Sequence, residues 1–140
     1  MKEKLANFYT LLPGVLFVAW MSGLWLVSSL PGNEVRLPPF PHADKIVHCA
    51  FFAIGGFLLA WFLQRLCGWT GWRLILIVTL AMAVIGAGDE IHQLFTPGRM
   101  GSDWGDWLAD VAGGLAGAWT FLMIYAVATR IPPTAAPTGN

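Results

Sequence analysis

An all-α fold, an integral membrane bundle of four transmembrane helices, is what this sequence predicts, and three observations predict it. Of 140 residues, 56% are hydrophobic and only 11% charged, with eight tryptophans and a positive mean hydropathy, which is the profile of a chain built for lipid. Four apolar stretches are each long enough, at about 1.5 Å rise per residue, to cross a hydrocarbon core roughly 30 Å thick. The charges are also not scattered: Asp44, Asp89, Glu90, Asp103, Asp106 and Asp110 are six of the chain's eight acidic residues, and all lie in or beside the ends of these stretches.

The first span is read as Phe8 to Leu30. A cleaved secretory signal is the alternative, but the stretch is long and rich in Trp. It also runs into Ser28-Ser29-Leu30-Pro31 rather than a small-x-small cleavage site. The second span, Ile46 to Leu66, follows a Pro-rich loop and carries His48 one turn inside its start. The third, Leu74 to Phe95, ends in the acidic pair Asp89 and Glu90. The fourth, Trp107 to Thr129, starts after Asp103 and Asp106 and takes Asp110 inside. These spans make one domain over residues 1–130, followed by a Pro/Ala/Thr tail over 131–140 read as disordered.

Orientation turns on the basic residues. Lys2, Lys4, Arg65, Arg73 and Arg130 fall on one side, against Arg36, Lys45 and Arg99 on the other, where Glu34 and the six clustered acids also lie. Both termini are therefore expected in the cytoplasm, with the acidic ends facing out. Zero net charge leaves no basic stripe to displace counterions from phosphates, which argues against a nucleic-acid partner. Cys49 and Cys67 are some 27 Å apart along one helix, too far to pair within the chain. No zinc spacing, phosphate-cradling loop, nucleophile elbow or repeat appears.

Helical periodicity, about 100° per residue, then places the polar groups. Asp89, Glu90 and Gln93 share a sector of the third span with Gly86, Met82 and Thr79. Asp103, Asp106 and Asp110 follow i, i+3, i+7, and Gly114, Gly117 and Phe121 continue nearby. Asp44 and His48 are i, i+4, with Gly55 further along. Three helices thus aim polar ends inward at one level, above seams of small residues on which helices can approach closely.

An ionised group well inside a bilayer costs several kcal/mol or more, so it marks function by default. Asp103 and Asp106 have a structural alternative, since an anion at a helix start caps it and suits its dipole. Asp89 and Glu90 have none, because they sit in the last two turns, where the dipole repels them; they call for a cation, a proton or a metal. Arg99, after the turn-forming Pro97 and Gly98, is expected to fold back over both acidic helix ends and to hold a carboxylate or a ligand phosphate. Lys45 follows the same logic, or snorkels to the interface. His48 is read as a site residue and His92 as an interface residue. Trp104 and Trp107 are read as part of an interfacial belt rather than as a sugar platform.

Acids with one or two imidazoles suit a hard divalent cation or a carboxylate/His proton shuttle, though no spacing here is diagnostic of a cofactor. At this point "DKIVHCAFFAIGG", "GDEIHQLFTPGR" and "DWLADVAGGLAG" resemble the three signature blocks of the VanZ-like membrane proteins. The resemblance covers Asp44 to Gly117 and singles out Asp44, Lys45, His48, Asp89, Glu90, Gln93, Arg99, Asp106, Asp110 and Gly113. Many relatives carry Asn where this chain has Asp110. The resemblance implies a multi-pass protein of the bacterial plasma (inner) membrane, in a family whose founding member is associated with low-level resistance to the glycopeptide teicoplanin.

Two functions of different class follow. In the first, a non-catalytic envelope protein binds a lipid-linked headgroup, a cell-wall precursor, a glycopeptide or a partner through Asp44, Lys45, Gln93, Arg99, Asp106 and Asp110. In the second, a membrane enzyme acts on such a lipid with Asp89, Glu90 and His48 as catalytic candidates and a divalent cation as the possible cofactor. The first is favoured, because no nucleophile or metal is announced.

Overall fold

Why the chain folds as it does begins with its glycines. The computed structural model describes residues 2–130, and their side chains from Tyr9 onward; the tail expected over 131–140 lies outside the described residues. Four helices follow in order: α1 Lys2–Ser28, α2 Ala43–Cys67, α3 Gly71–Gln93 and α4 Trp104–Ala128. All four are long and apolar enough to cross a membrane, and no strand occurs among the described residues. The lipid-facing sides are bare hydrocarbon: Val84, Leu80 and Ile124 are each more than half exposed in the isolated chain.

Three of the helices begin three residues earlier than hydropathy alone suggests, at Ala43, Gly71 and Trp104 rather than at Ile46, Leu74 and Trp107. Hydropathy discards polar residues, but a helix N-terminus welcomes them. Asp44 and Asp106 occupy first turns, and Asp103 caps α4 by accepting the Gly105 N–H at 2.6 Å. Conversely α1 and α3 stop two residues short, at Ser28 and Gln93.

The pairing of α2 with α4 dominates the packing. Gly56 lies against the backbone of Gly114, while Gly113 and Gly117 lie against the backbone of Cys49, Ala53 and Phe57. With no Cβ between them, the two helices touch main chain to main chain, as small residues allow in membranes, where packing rather than burial from water drives association. On the far side of α4, Gly114 receives the Met82 side chain from α3, and the Trp107 indole donates to the Ala83 carbonyl at 2.9 Å. Helix α1 leans on α2 through Trp20, which fills the space over Gly55 and donates to the Phe51 carbonyl at 3.0 Å. Trp20, Phe52, Val78, Met82 and Phe121 belong to the buried apolar centre; the polar groups lie at the end of the bundle where α2 and α4 start and α1 and α3 finish.

Candidate functional site

Two loops close that end. Residues Thr96 to Arg99 make a tight turn in which Arg99 N donates to Thr96 O at 3.2 Å, with Pro97 at the second position and Gly98 at φ 71° at the third. That is the type II pattern, which places a positive φ where glycine carries no steric penalty. The turn docks on the first loop, where the Gly32 N–H donates to Pro97 O at 3.0 Å. It also fastens to the end of α1, where Thr96 Oγ1 donates to Ser28 O at 3.1 Å.

Register along the glycine seam decides which polar residues meet. Lys45, on the first turn of α2, comes level with the start of α4, and its Nζ lies 3.0 Å from Asp106 Oδ1 and 3.1 Å from both Asp103 Oδ2 and Asp44 Oδ2. Its stem does not simply snorkel; the ammonium is the cation of a three-carboxylate nest. The Gly105 N–H, and after it Lys45, hold the Asp103 carboxyl below the ordinary carboxylate range. One turn deeper, His48 Nδ1 lies 2.9 Å from Asp110 Oδ1. Asp110 is wholly buried, and its other oxygen packs over Gly86 of α3 with no hydrogen-bond partner.

Helix α3 contributes its last turns. Asp89 accepts from Ser28 Oγ of α1 at 2.5 Å and from Gln93 Nε2 at 2.8 Å, so both of its partners are neutral donors rather than a cation. Glu90 points the other way: its Oε2 accepts the Asp103 N–H at 2.8 Å, while Oε1 is buried without a partner. His92 stacks on Trp25 with ring centroids 3.9 Å apart and pairs with Ser29 Oγ at 3.0 Å, at the exposed edge of the bundle.

Arg99 departs from the expectation that it covers the acidic helix ends. The type II turn sends it toward α1, where its NH2 group donates to Val27 O at 3.3 Å and its buried Nε has no partner. The physical reason is the negative pole of α1, which has no basic residue in its last turn: Val27 O accepts the Leu30 N–H through one lone pair and has the other for the guanidinium. Lys45 therefore takes the place among the carboxylates that spacing in sequence suggests for Arg99.

The structure thus brings Asp44, Lys45, His48, Glu90, Asp106 and Asp110 into one contiguous network, with Asp89 and Gln93 beside it and Arg99 across a cleft of about 330 Å³. His48, Gln93, Arg99 and Asp106 line that cleft together with the apolar Val35 and Leu37 of the first loop. Two participants escape a reading of the sequence. Ser28 and Thr96, both buried, carry the bonds that join α1 to α3 and its following turn, and a hydroxyl at the end of an apolar helix gives no charge signal by which to find them. The indole N–H of Trp107 is engaged with α3, so this ring is held in the helix packing, whereas Trp104 is 75% exposed.

The family model VanZ/LLP1 matches the chain over residues 3–125. No curated protein and no solved structure matches the chain.

Proposed function

As the chain belongs to the VanZ/LLP1 family, and is by its four apolar helices a multi-pass membrane protein, we infer that it binds the headgroup of a lipid-linked cell-envelope molecule in the cleft between its first and third loops. The observation that carries this reading is Arg99: a guanidinium lining the cleft, with no carboxylate partner and with its Nε unfilled. A guanidinium so placed suits a phosphate. Across the cleft, Asp44 and Asp103 offer acceptors for sugar hydroxyls, and Val27, Val35 and Leu37 offer an apolar wall for the start of a lipid chain. Hydrocarbon, phosphate and sugar hydroxyls together make up a lipid-linked glycosyl phosphate, the class to which cell-wall precursors belong. A role in teicoplanin resistance rests on the family resemblance alone.

The test is binding of a polyprenyl phosphate to the detergent-purified protein, followed by native mass spectrometry. Losing a charge-assisted contact of about 1.5–3 kcal/mol, Arg99→Gln should bind at least about tenfold more weakly. Equal affinity in the variant would remove the phosphate from this cleft.

The same reading puts the cleft outside the plasma membrane of a bacterium and both termini in the cytoplasm, in line with the basic residues. Met100, 86% exposed beside the cleft, provides the probe. Met100→Cys should react with a membrane-impermeant maleimide on intact cells, while the parent chain, with Cys67 exposed at the opposite end, should not. Equal labelling of the parent and the variant, through the Cys67 that both carry, would invert the topology.

A further inference from the structure

Glu90 presents an anomaly that headgroup binding does not explain. Only 5% of the residue is exposed, and one carboxylate oxygen is buried with no donor. A carboxylate oxygen left in that state is costly, and buried polar atoms of this kind call for an ion, a proton or a water. The surroundings select among these. A ligand atom from each of His48, Glu90 and Asp106 lies within 4.8 Å of the other two.

Each of the three has one atom engaged and one left over. His48 Nδ1 faces Asp110, so Nε2 is its remaining nitrogen. Glu90 Oε2 takes the Asp103 N–H, which leaves Oε1. Asp106 Oδ1 takes the Lys45 ammonium, which leaves Oδ2. The bond from Asp110 to the far nitrogen of His48 is the arrangement by which a carboxylate fixes the ring and its tautomer for a metal ion. Charge points the same way. Six carboxylates gather at this end of the bundle, and Lys45 and Arg99 are the lysine and arginine set among them, with Arg99 turned toward α1.

We propose that His48, Glu90 and Asp106 form a binding site for one divalent cation, with Asp110 as the residue that positions the His48 ring. One imidazole and two carboxylates suit manganese or zinc better than calcium, which prefers an all-oxygen shell. Ligands held at roughly 2.1 Å from one ion lie at most about 4.2 Å apart, so the observed separations close around an ion by side-chain movements well under a turn of helix. Three protein ligands leave an open coordination position, and His48 and Asp106 both line the cleft from which an oxygen of water or of a ligand can reach it. The neighbouring Asp44 and Asp103, which with Asp106 Oδ1 surround the Lys45 ammonium, have no buried unpartnered oxygen of the kind that Glu90 has.

The site concerns different atoms from the Arg99 contact, so it is tested on the metal alone, with no lipid added. Full-length protein is stripped with chelator in detergent, desalted and titrated with manganese, zinc, magnesium and calcium. The expected result is one manganese or zinc per chain by elemental analysis, with a rise in melting temperature, since an ion that binds only the folded state stabilises it by mass action. Cobalt put in its place should give the visible absorption of an ion bound to nitrogen and oxygen, a signature that needs no variant. Glu90→Gln and His48→Gln should weaken binding at least about a hundredfold, and Asp110→Asn, acting through the ring, roughly tenfold. Substoichiometric metal with an unmoved melting curve for all four ions would overturn the proposal, and so would unchanged affinity in Glu90→Gln. Neither outcome would touch polyprenyl phosphate binding at Arg99.

Discussion

Gly117→Leu is expected to leave little folded protein in detergent. A Cβ at this position would stand about 2.7 Å from the amide nitrogen of Phe57 and closer still to the carbonyl oxygen of Ala53, and both are backbone atoms of α2. Overpacking a core costs about 1–3 kcal/mol when side chains can yield. Here the obstacle is main chain, so α2 and α4 must separate along the whole seam that also holds Gly56, Gly113 and Gly114. The predicted loss is at least about 3 kcal/mol, seen as a drop in melting temperature of about 10 °C or more. Ala116→Leu, one residue away on the exposed face, should melt as the parent does. If the two variants melt alike, close backbone approach is not what holds these helices together.

The second large effect concerns Asp110. Replacing it by alanine strips His48 Nδ1 of its partner and opens space against Gly86, where the Asp110 side chain now packs. Leaving a buried polar atom unpaired costs about 1–3 kcal/mol, and the cavity adds to that, so Asp110→Ala should be destabilised by about 2 kcal/mol or more. Asn fills the same volume and can still accept from the imidazole through its amide oxygen. It also removes a carboxylate oxygen that has no donor in the buried site. Asp110→Asn is therefore expected within about 1 kcal/mol of the parent by thermal melting. Should Asn prove as harmful as Ala, the negative charge itself, and not the hydrogen bond, is what α4 supplies at this level.

Much of this architecture is legible in the sequence because bilayers are severe about it. A length of some twenty apolar residues has few other uses, and the glycines of α4 recur at a spacing that keeps them on one face. The inward aim of Asp44, His48, Asp89, Glu90, Asp106 and Asp110 is legible for the same reason, since charge cannot face lipid cheaply. Partner choice is not. Arg99 is nearer in sequence to the acids of α3 and α4 than Lys45 is, yet Lys45 meets Asp103 and Asp106, because a helix-to-helix register set by Gly56 against Gly114 brings the start of α2 beside the start of α4. That register is a property of two surfaces in contact. It leaves no mark in either segment alone. Ser28 is hidden for a different reason: a hydroxyl carries no charge, and with Ser22 and Ser29 nearby nothing distinguishes the serine that meets Asp89.

The order of partners along the chain has a consequence for how this protein is made. Chains are synthesised from the N-terminus, so helices reach the membrane in sequence. Ser28 precedes the Asp89 that it will bond, Lys45 precedes Asp103 and Asp106, and His48 precedes Asp110. In each pair the group that neutralises or satisfies the acid is already in place when the acid arrives. Helix α4, the most acidic of the four at its start, enters last, into a membrane that holds its counter-charges. Glu90 runs against this order: its backbone donor, at Asp103, lies beyond the following turn and is made after it, so until the start of α4 arrives this carboxylate must depend on solvent or an ion.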